Sequence, residues 1–138
     1  MNRNRLFFFT FGIANIGLIL YGFLALTAPN TLVDSFSSHV YRFPSNATLA
    51  VEYLNALFRL LGFLNLILGI TGVLLLWRYK IDNQPWQLYG IIVTSSLAYL
   101  GPIVFDNTVG TIGFFEIVEH VIFAAMILSA ILNGRNHE

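Results

Sequence analysis

Residues 49–77 read LAVEYLNALFRLLGFLNLILGITGVLLLW. The run is 29 residues long, has no proline, and carries charge only at Glu52 and Arg59. A helix on a soluble surface shows one apolar stripe and one polar face. Here leucine, isoleucine and phenylalanine fall on every face, which is the pattern of a membrane span. At 1.5 Å per residue the run covers roughly 43 Å, against a hydrocarbon core of about 30 Å. The helix is therefore expected to tilt or to project from the bilayer.

Three more apolar runs flank it, at about 6–28, 86–105 and 109–132. The 138 residues are 57% hydrophobic and 10% charged. Soluble domains average about 25% charged residues, so this composition cannot cover a water-facing surface. The reading is an all-α polytopic membrane protein, one transmembrane domain over 1–138, folded as a left-handed antiparallel four-helix bundle. The formal net charge is zero, which gives no general attraction to nucleic acid. The chain has no cysteine, which removes thiol catalysis, disulfides, iron–sulfur clusters and thiolate zinc sites together.

The first run follows Arg3 and Arg5, as a signal peptide would. Its 23 residues exceed the roughly 7–15 of a signal core, and Leu26 and Pro29 disfavour cleavage after Ala28. It is read as an uncleaved span with Asn15 near mid-depth. Residues 29–48 form the long outer loop. Its mixed composition suggests an interfacial segment, with a short amphipathic helix over 31–39. Asn46-Ala47-Thr48 matches a glycosylation sequon, a three-residue pattern common by chance. Trp77-Arg78-Tyr79-Lys80 reads as an interfacial stop, and Asp82 to Pro85 as a tight turn. Gly101-Pro102 is expected to kink or end the third helix, and Asp106-Asn107-Thr108 to make the second outer turn.

Four spans place both termini and the 78–85 turn on one side. That side holds Arg3, Arg5, Arg78, Lys80 and Arg135, and the other holds Arg42. Five basic residues against one put both termini in the cytoplasm, as in a bacterial inner membrane.

The polar residues inside the spans carry the functional question. On the second helix Glu52, Asn55, Arg59, Gly62, Leu66, Gly69 and Val73 form one stripe, expected to face the bundle interior. On the fourth, Gly113, Glu116, His120, Phe123 and Ile127 form another, with Glu119 beside it. Counted from the expected boundaries, Arg59 and Glu119 both lie roughly 15 Å below the outer surface, and Asn15 and Tyr99 reach similar depths. A lone charge at mid-membrane costs about 2.5–3.5 kcal/mol on insertion scales. Arg59 is accordingly expected to pair with Glu116 or Glu119 in a buried salt bridge.

Glu52, Asn55, Arg59, Tyr99, Glu116, Glu119 and His120 thus make one candidate polar cluster. It reads either as a structural ion pair that fixes helix register, or as a site for a quinone, a lipid head group or a proton. His120 as a haem or chlorin ligand lacks an obvious second ligand. A carboxylate-bridged metal site would want Glu-x-x-His on two helices, whereas the second helix offers Glu52 and no histidine. No catalytic set is complete, and no metal or resident cofactor is expected.

An apolar first helix ending in Ala28-Pro29, an outer loop, a second helix with Arg59 followed by Gly62 and Gly69, and a last helix carrying Glu116 resemble the DoxX-like group of small four-helix membrane proteins. The resemblance implies the fold, and it implies association with quinone-linked oxidoreductases as small subunits, as in some members. Two functions follow as expectations. One is a non-catalytic accessory or assembly subunit, with the bilayer and membrane-protein partners or further copies of itself around it. The other is a DoxX-like redox protein that uses the Arg/Glu/His cluster as a binding site. A transporter is less favoured, since no internal repeat or pair of broken helices is present.

Overall fold

Pro29, Asn83 and Pro85 punctuate the chain, and a helix begins or ends at each. The computed structural model describes residues 3–39, 43–44, 46–109 and 114–134, excepting the side chains of residues 3–4, 39, 106, 109, 114–115 and 134. Five helices follow one another: α1 Arg3–Thr27, α2 Pro29–His39, α3 Thr48–Asp82, α4 Pro85–Val109 and α5 Phe114–Gly134. Four of them, α1, α3, α4 and α5, are long and apolar enough to cross a membrane. The chain has the build of an all-α, multi-pass membrane protein. Arg42, Gly113, Arg135, His137 and the His39 side chain lie outside the described residues.

Ala28 interrupts the first two helices because a residue before proline is pushed out of the helical region. Pro29 then opens α2, since a first-turn position asks for no amide hydrogen. The short helix expected over 31–39 is thus present and starts two residues earlier. Asn83 ends α3 in the left-handed conformation, with φ 48°, and its N–H donates to the Tyr79 carbonyl at 2.9 Å. Gln84, Pro85 and Gln87 open α4 with the two halves of a helix start. Pro85 supplies the first turn, and the Gln87 side-chain oxygen accepts the Gln84 N–H at 3.2 Å. Gln87 is itself buried, and its amide donates to Asp82, which also pairs with Arg78.

Three boundaries differ from expectation. α3 does not stop at Trp77 but runs five residues further, to Asp82. α4 passes through Gly101-Pro102 and reaches Val109, taking in Asp106, Asn107 and Thr108. Pro102 removes one amide donor, a loss that a membrane helix can absorb locally. Beyond it, Asn107 and Thr108 bond back to the carbonyls of Ile103 and Val104, both at 2.7 Å. Residues 106–108 are therefore helical rather than a turn, and α5 begins at Phe114 rather than near 109.

α1 is the central helix and touches each of the others. Its buried positions, Phe7, Phe11, Ala14, Asn15, Leu18, Gly22 and Ala25, recur at steps near 3.6. Against α3 the contacts step down one helix as they step up the other. Gly22 meets Gly62, Ile19 meets Gly69, Asn15 meets Gly72, and Phe7 and Phe8 meet Tyr79. At the Gly22–Gly62 crossing the backbones approach so closely that a Cβ on either residue would lie 2.7–2.8 Å from the other's carbonyl oxygen. Lipid is as apolar as leucine, so such close packing, rather than burial from water, holds membrane helices together. The outward faces are correspondingly apolar, with Phe9, Leu20, Phe23, Leu74 and Leu97 all exposed.

The helix faces are only partly those expected. On α3 the inner half of the stripe holds: Gly62 and Gly69 are buried, joined by Gly72, Leu76 and Tyr79. Glu52 and Arg59, at its other end, are exposed. On α5 the buried positions are Met126, Ser129 and Asn133, so the face is turned from the Phe123–Ile127 stripe, and Ile127 is exposed.

Candidate functional site

The expected Arg59–glutamate pair is not formed. Among the described residues α3 and α5 do not pack directly against each other, and Arg59 lies toward the end of α3 away from a cavity that the two helices both line. Arg59 is exposed and makes no ion pair with Glu116 or Glu119. The reason is one of register. Gly62 packs against Gly22, Ala25 and Leu26, so Arg59, three residues earlier on the antiparallel-running α3, comes level with the end of α1 near Ala28. α3 projects past the end of α1, and α2 lies against it there. Arg59 thus stands where α1 ends rather than halfway along it, and an arginine there needs no buried counter-ion.

Glu119 is likewise nearer an end than expected, five residues into α5, or about 8 Å along its axis. The seven candidate residues separate into two groups at the same end of the molecule. Glu52, Asn55 and Arg59 lie on the projecting part of α3. Glu52 and Arg59 are exposed, while the Asn55 side-chain oxygen is buried with no hydrogen-bond partner. Tyr99, Glu116, Glu119 and His120 lie on α4 and α5.

The second group is held by specific bonds. His120 Nδ1 donates to the Glu116 carbonyl at 2.6 Å, and Asn107 Nδ2 donates to His120 Nε2 at 3.1 Å. A carbonyl accepts only, which places the imidazole hydrogen on Nδ1 and leaves Nε2 as acceptor. The remaining Asn107 amide hydrogen goes to the Ile103 carbonyl. Both ring nitrogens are engaged, so His120 would have to leave Asn107 to ligate a metal or haem iron. The Asn107–His120 bond ties α4 to α5. Cross-helix bonds in membranes average about 0.6 kcal/mol, so His120→Ala is expected to lower the unfolding free energy in detergent by about that amount and to leave the helical circular dichroism unchanged. Among the described residues no three His, Asp or Glu side chains converge in a way that could hold a metal.

Tyr99 turns the other way, into the middle of the bundle. Its hydroxyl donates to the Ala14 carbonyl at 2.9 Å, beside Gly17, where a Cβ would lie 3.3 Å away. One turn back, Ser95 meets Asn15: the asparagine amide donates to the serine oxygen at 3.0 Å and to the Phe11 carbonyl at 2.7 Å, and the serine hydroxyl donates to Asn15 Oδ1 at 3.2 Å. Gly72 leaves the room that Asn15 fills. A further bond, Thr10 to Ser129 at 2.8 Å, joins α1 to α5. These bonded interior groups are neutral and lie on α1, α4 and α5, while Ser96 Oγ and Asn133 Nδ2 are buried without a hydrogen-bond partner. Reading the sequence singled out Asn15, Tyr99 and His120, but not Ser95 as the partner of Asn15, Asn107 as the partner of His120, or the Thr10–Ser129 pair. The available signal was that Ser95 lies four residues before Tyr99, on one helix face.

No family model, curated protein or solved structure matches this chain.

Proposed function

We propose that the chain is an antiparallel four-helix transmembrane bundle with both termini cytoplasmic, and that it acts without catalysis, as an accessory or assembly subunit of a larger membrane complex. The observation that carries this reading is the outward polar stripe on α3. Glu52 and Arg59 are exposed, on a stretch otherwise apolar or aromatic apart from the half-buried Asn55. A partner subunit with complementary polar groups would complete that stripe. Five basic residues at the termini and the α3–α4 turn, against Arg42 on the other side, support the orientation.

Gentle native extraction followed by mass spectrometry tests it. Stoichiometric membrane-protein partners are expected with the wild-type chain. Arg59→Ala is expected to lose them while retaining its helicity and unfolding midpoint, because Arg59 makes no ion pair within the chain. A wild-type chain that comes out alone, or an Arg59→Ala variant that keeps its partners, would overturn the reading.

A second reading has its own observation. His120 is held in one orientation, with both ring nitrogens hydrogen-bonded, between Glu116 on its own helix and Asn107 on α4. A DoxX-like function, binding a quinone, a lipid head group or a proton, would use this α4–α5 group and not Arg59. It predicts a co-purifying small molecule that His120→Ala releases while any assembly stays intact.

A further inference from the structure

Away from both groups, at the opposite end of the molecule, a cavity of about 600 Å³ opens where the end of α3, the start of α4 and the last turns of α5 meet. Leu88 and Ile92 of α4 and Ala130 and Ile131 of α5 make apolar walls. The lining at the turn is different in kind: Asn83, which ends α3, and the phenol rings of Tyr79 and Tyr89. The helix ends that supply this lining, the last turns of α3 and the first of α4, carry exposed aromatic and basic residues. Trp77 and Trp86 are 60% and 63% exposed, and Arg78 and Lys80 are exposed as well. Arg78 is neutralised by Asp82, whereas Lys80 makes no ion pair among the described residues.

The volume is that of a ligand site, and its polarity runs in one direction. Polar and aromatic groups stand at the turn, where a head-group region would lie, and the apolar walls run from there along α4 and α5. A water-soluble ligand gains nothing from walls that continue into hydrocarbon. A lipid matches both parts. Exposed cationic charge at these helix ends selects among lipids, since basic pockets between membrane helices favour anionic head groups.

We propose that this cavity binds one anionic phospholipid, with its phosphate at Lys80 and Asn83 and an acyl chain laid along Leu88, Ile92, Ala130 and Ile131. Lys80 stands in the last turn of α3 and Asn83 caps that turn, so both belong to the end of the helix that borders the cavity. The tyrosines flank the ester region, a position amphipathic rings favour.

The test is native mass spectrometry of the full chain released from bilayers containing equal amounts of phosphatidylglycerol and phosphatidylcholine. The expected result is a single phosphatidylglycerol adduct. Ala130→Trp, which fills the cavity, is expected to remove it. Ala125→Trp, in the separate apolar groove between α1 and α5, is expected to keep it. Lys80→Glu is expected to lower the glycerol-to-choline adduct ratio by about fivefold for each unit of charge changed. Equal adducts of both lipids, or an adduct that survives Ala130→Trp, would overturn the proposal. Should Ala130→Trp not fold, the exposed positions decide alone: an adduct ratio unchanged in both Lys80→Glu and Asn83→Asp would overturn it too.

Discussion

Gly62→Leu is expected to abolish the native packing of α1 on α3, lowering the unfolding free energy by about 3 kcal/mol, the upper end for overpacked sites. A Cβ at position 62 would stand 2.8 Å from the Gly22 carbonyl oxygen, 2.8 Å from the Ala25 side chain and 3.1 Å from the Leu26 nitrogen. Two of those three atoms are backbone and cannot rotate away, so the helices must separate. Separation forfeits the many small dispersion contacts of a close crossing, the main attraction available between helices in lipid. The position does not tolerate even alanine without movement. Gly12→Ala is the control, since a Cβ there meets nothing within 4 Å. Alanine at a helix-interior glycine normally gains about 0.5–1 kcal/mol, so Gly12→Ala is expected to raise stability slightly. Unfolding by graded denaturant in mixed micelles, followed by circular dichroism, reads both. Equal effects of the two substitutions would mean that the Gly22–Gly62 crossing does not hold the helices together.

The contrast between those glycines also marks how far the sequence could be read. The four apolar runs were legible because membrane solvation imposes length and composition on each helix separately. Gly62 and Gly69 were legible as packing positions, since small residues at helical spacing have few other uses in lipid. What was not legible was which helices are neighbours and in what register. Arg59 and Glu119 share a count of ten residues from the expected helix starts, and that count suggested a pair. It failed twice: α3 projects past α1, and α5 begins at Phe114, beyond the boundary expected near 109. Neither shift leaves a trace in hydropathy, because the projecting turns of α3 are still leucine-rich. α3 and α5 also do not pack directly against each other, which no single-helix pattern encodes. Neutral groups were harder still. Ser95 and Ser129 look like ordinary small residues of a membrane helix until Asn15 and Thr10 are placed against them.

Asn15→Asp is expected to cost about 3 kcal/mol, the insertion-scale cost of a carboxylate at a helix centre. Position 15 is the midpoint of α1 and is fully buried. The two side chains have nearly the same shape, so the fit against Gly72 is unchanged and the difference isolates polarity and charge. The asparagine amide donates to the Phe11 carbonyl at 2.7 Å and to Ser95 at 3.0 Å. An ionised oxygen in its place has nothing to donate and faces the Phe11 carbonyl with like charge, and the protonated acid could restore only one of the two bonds. Ser95→Ala removes one hydroxyl from the same group, and cross-helix bonds of this kind are worth about 0.6 kcal/mol, rarely above about 1.7. The two variants should therefore differ severalfold in their loss of unfolding free energy, measured in the same micelles. A carboxylate tolerated as well as the serine deletion would mean that water reaches the centre of the bundle. The Asn15–Ser95 pair would then be part of a hydrated path and not a lock. A large gap instead assigns the middle of the protein to holding the helices in register, and leaves its action to the surfaces at its two ends.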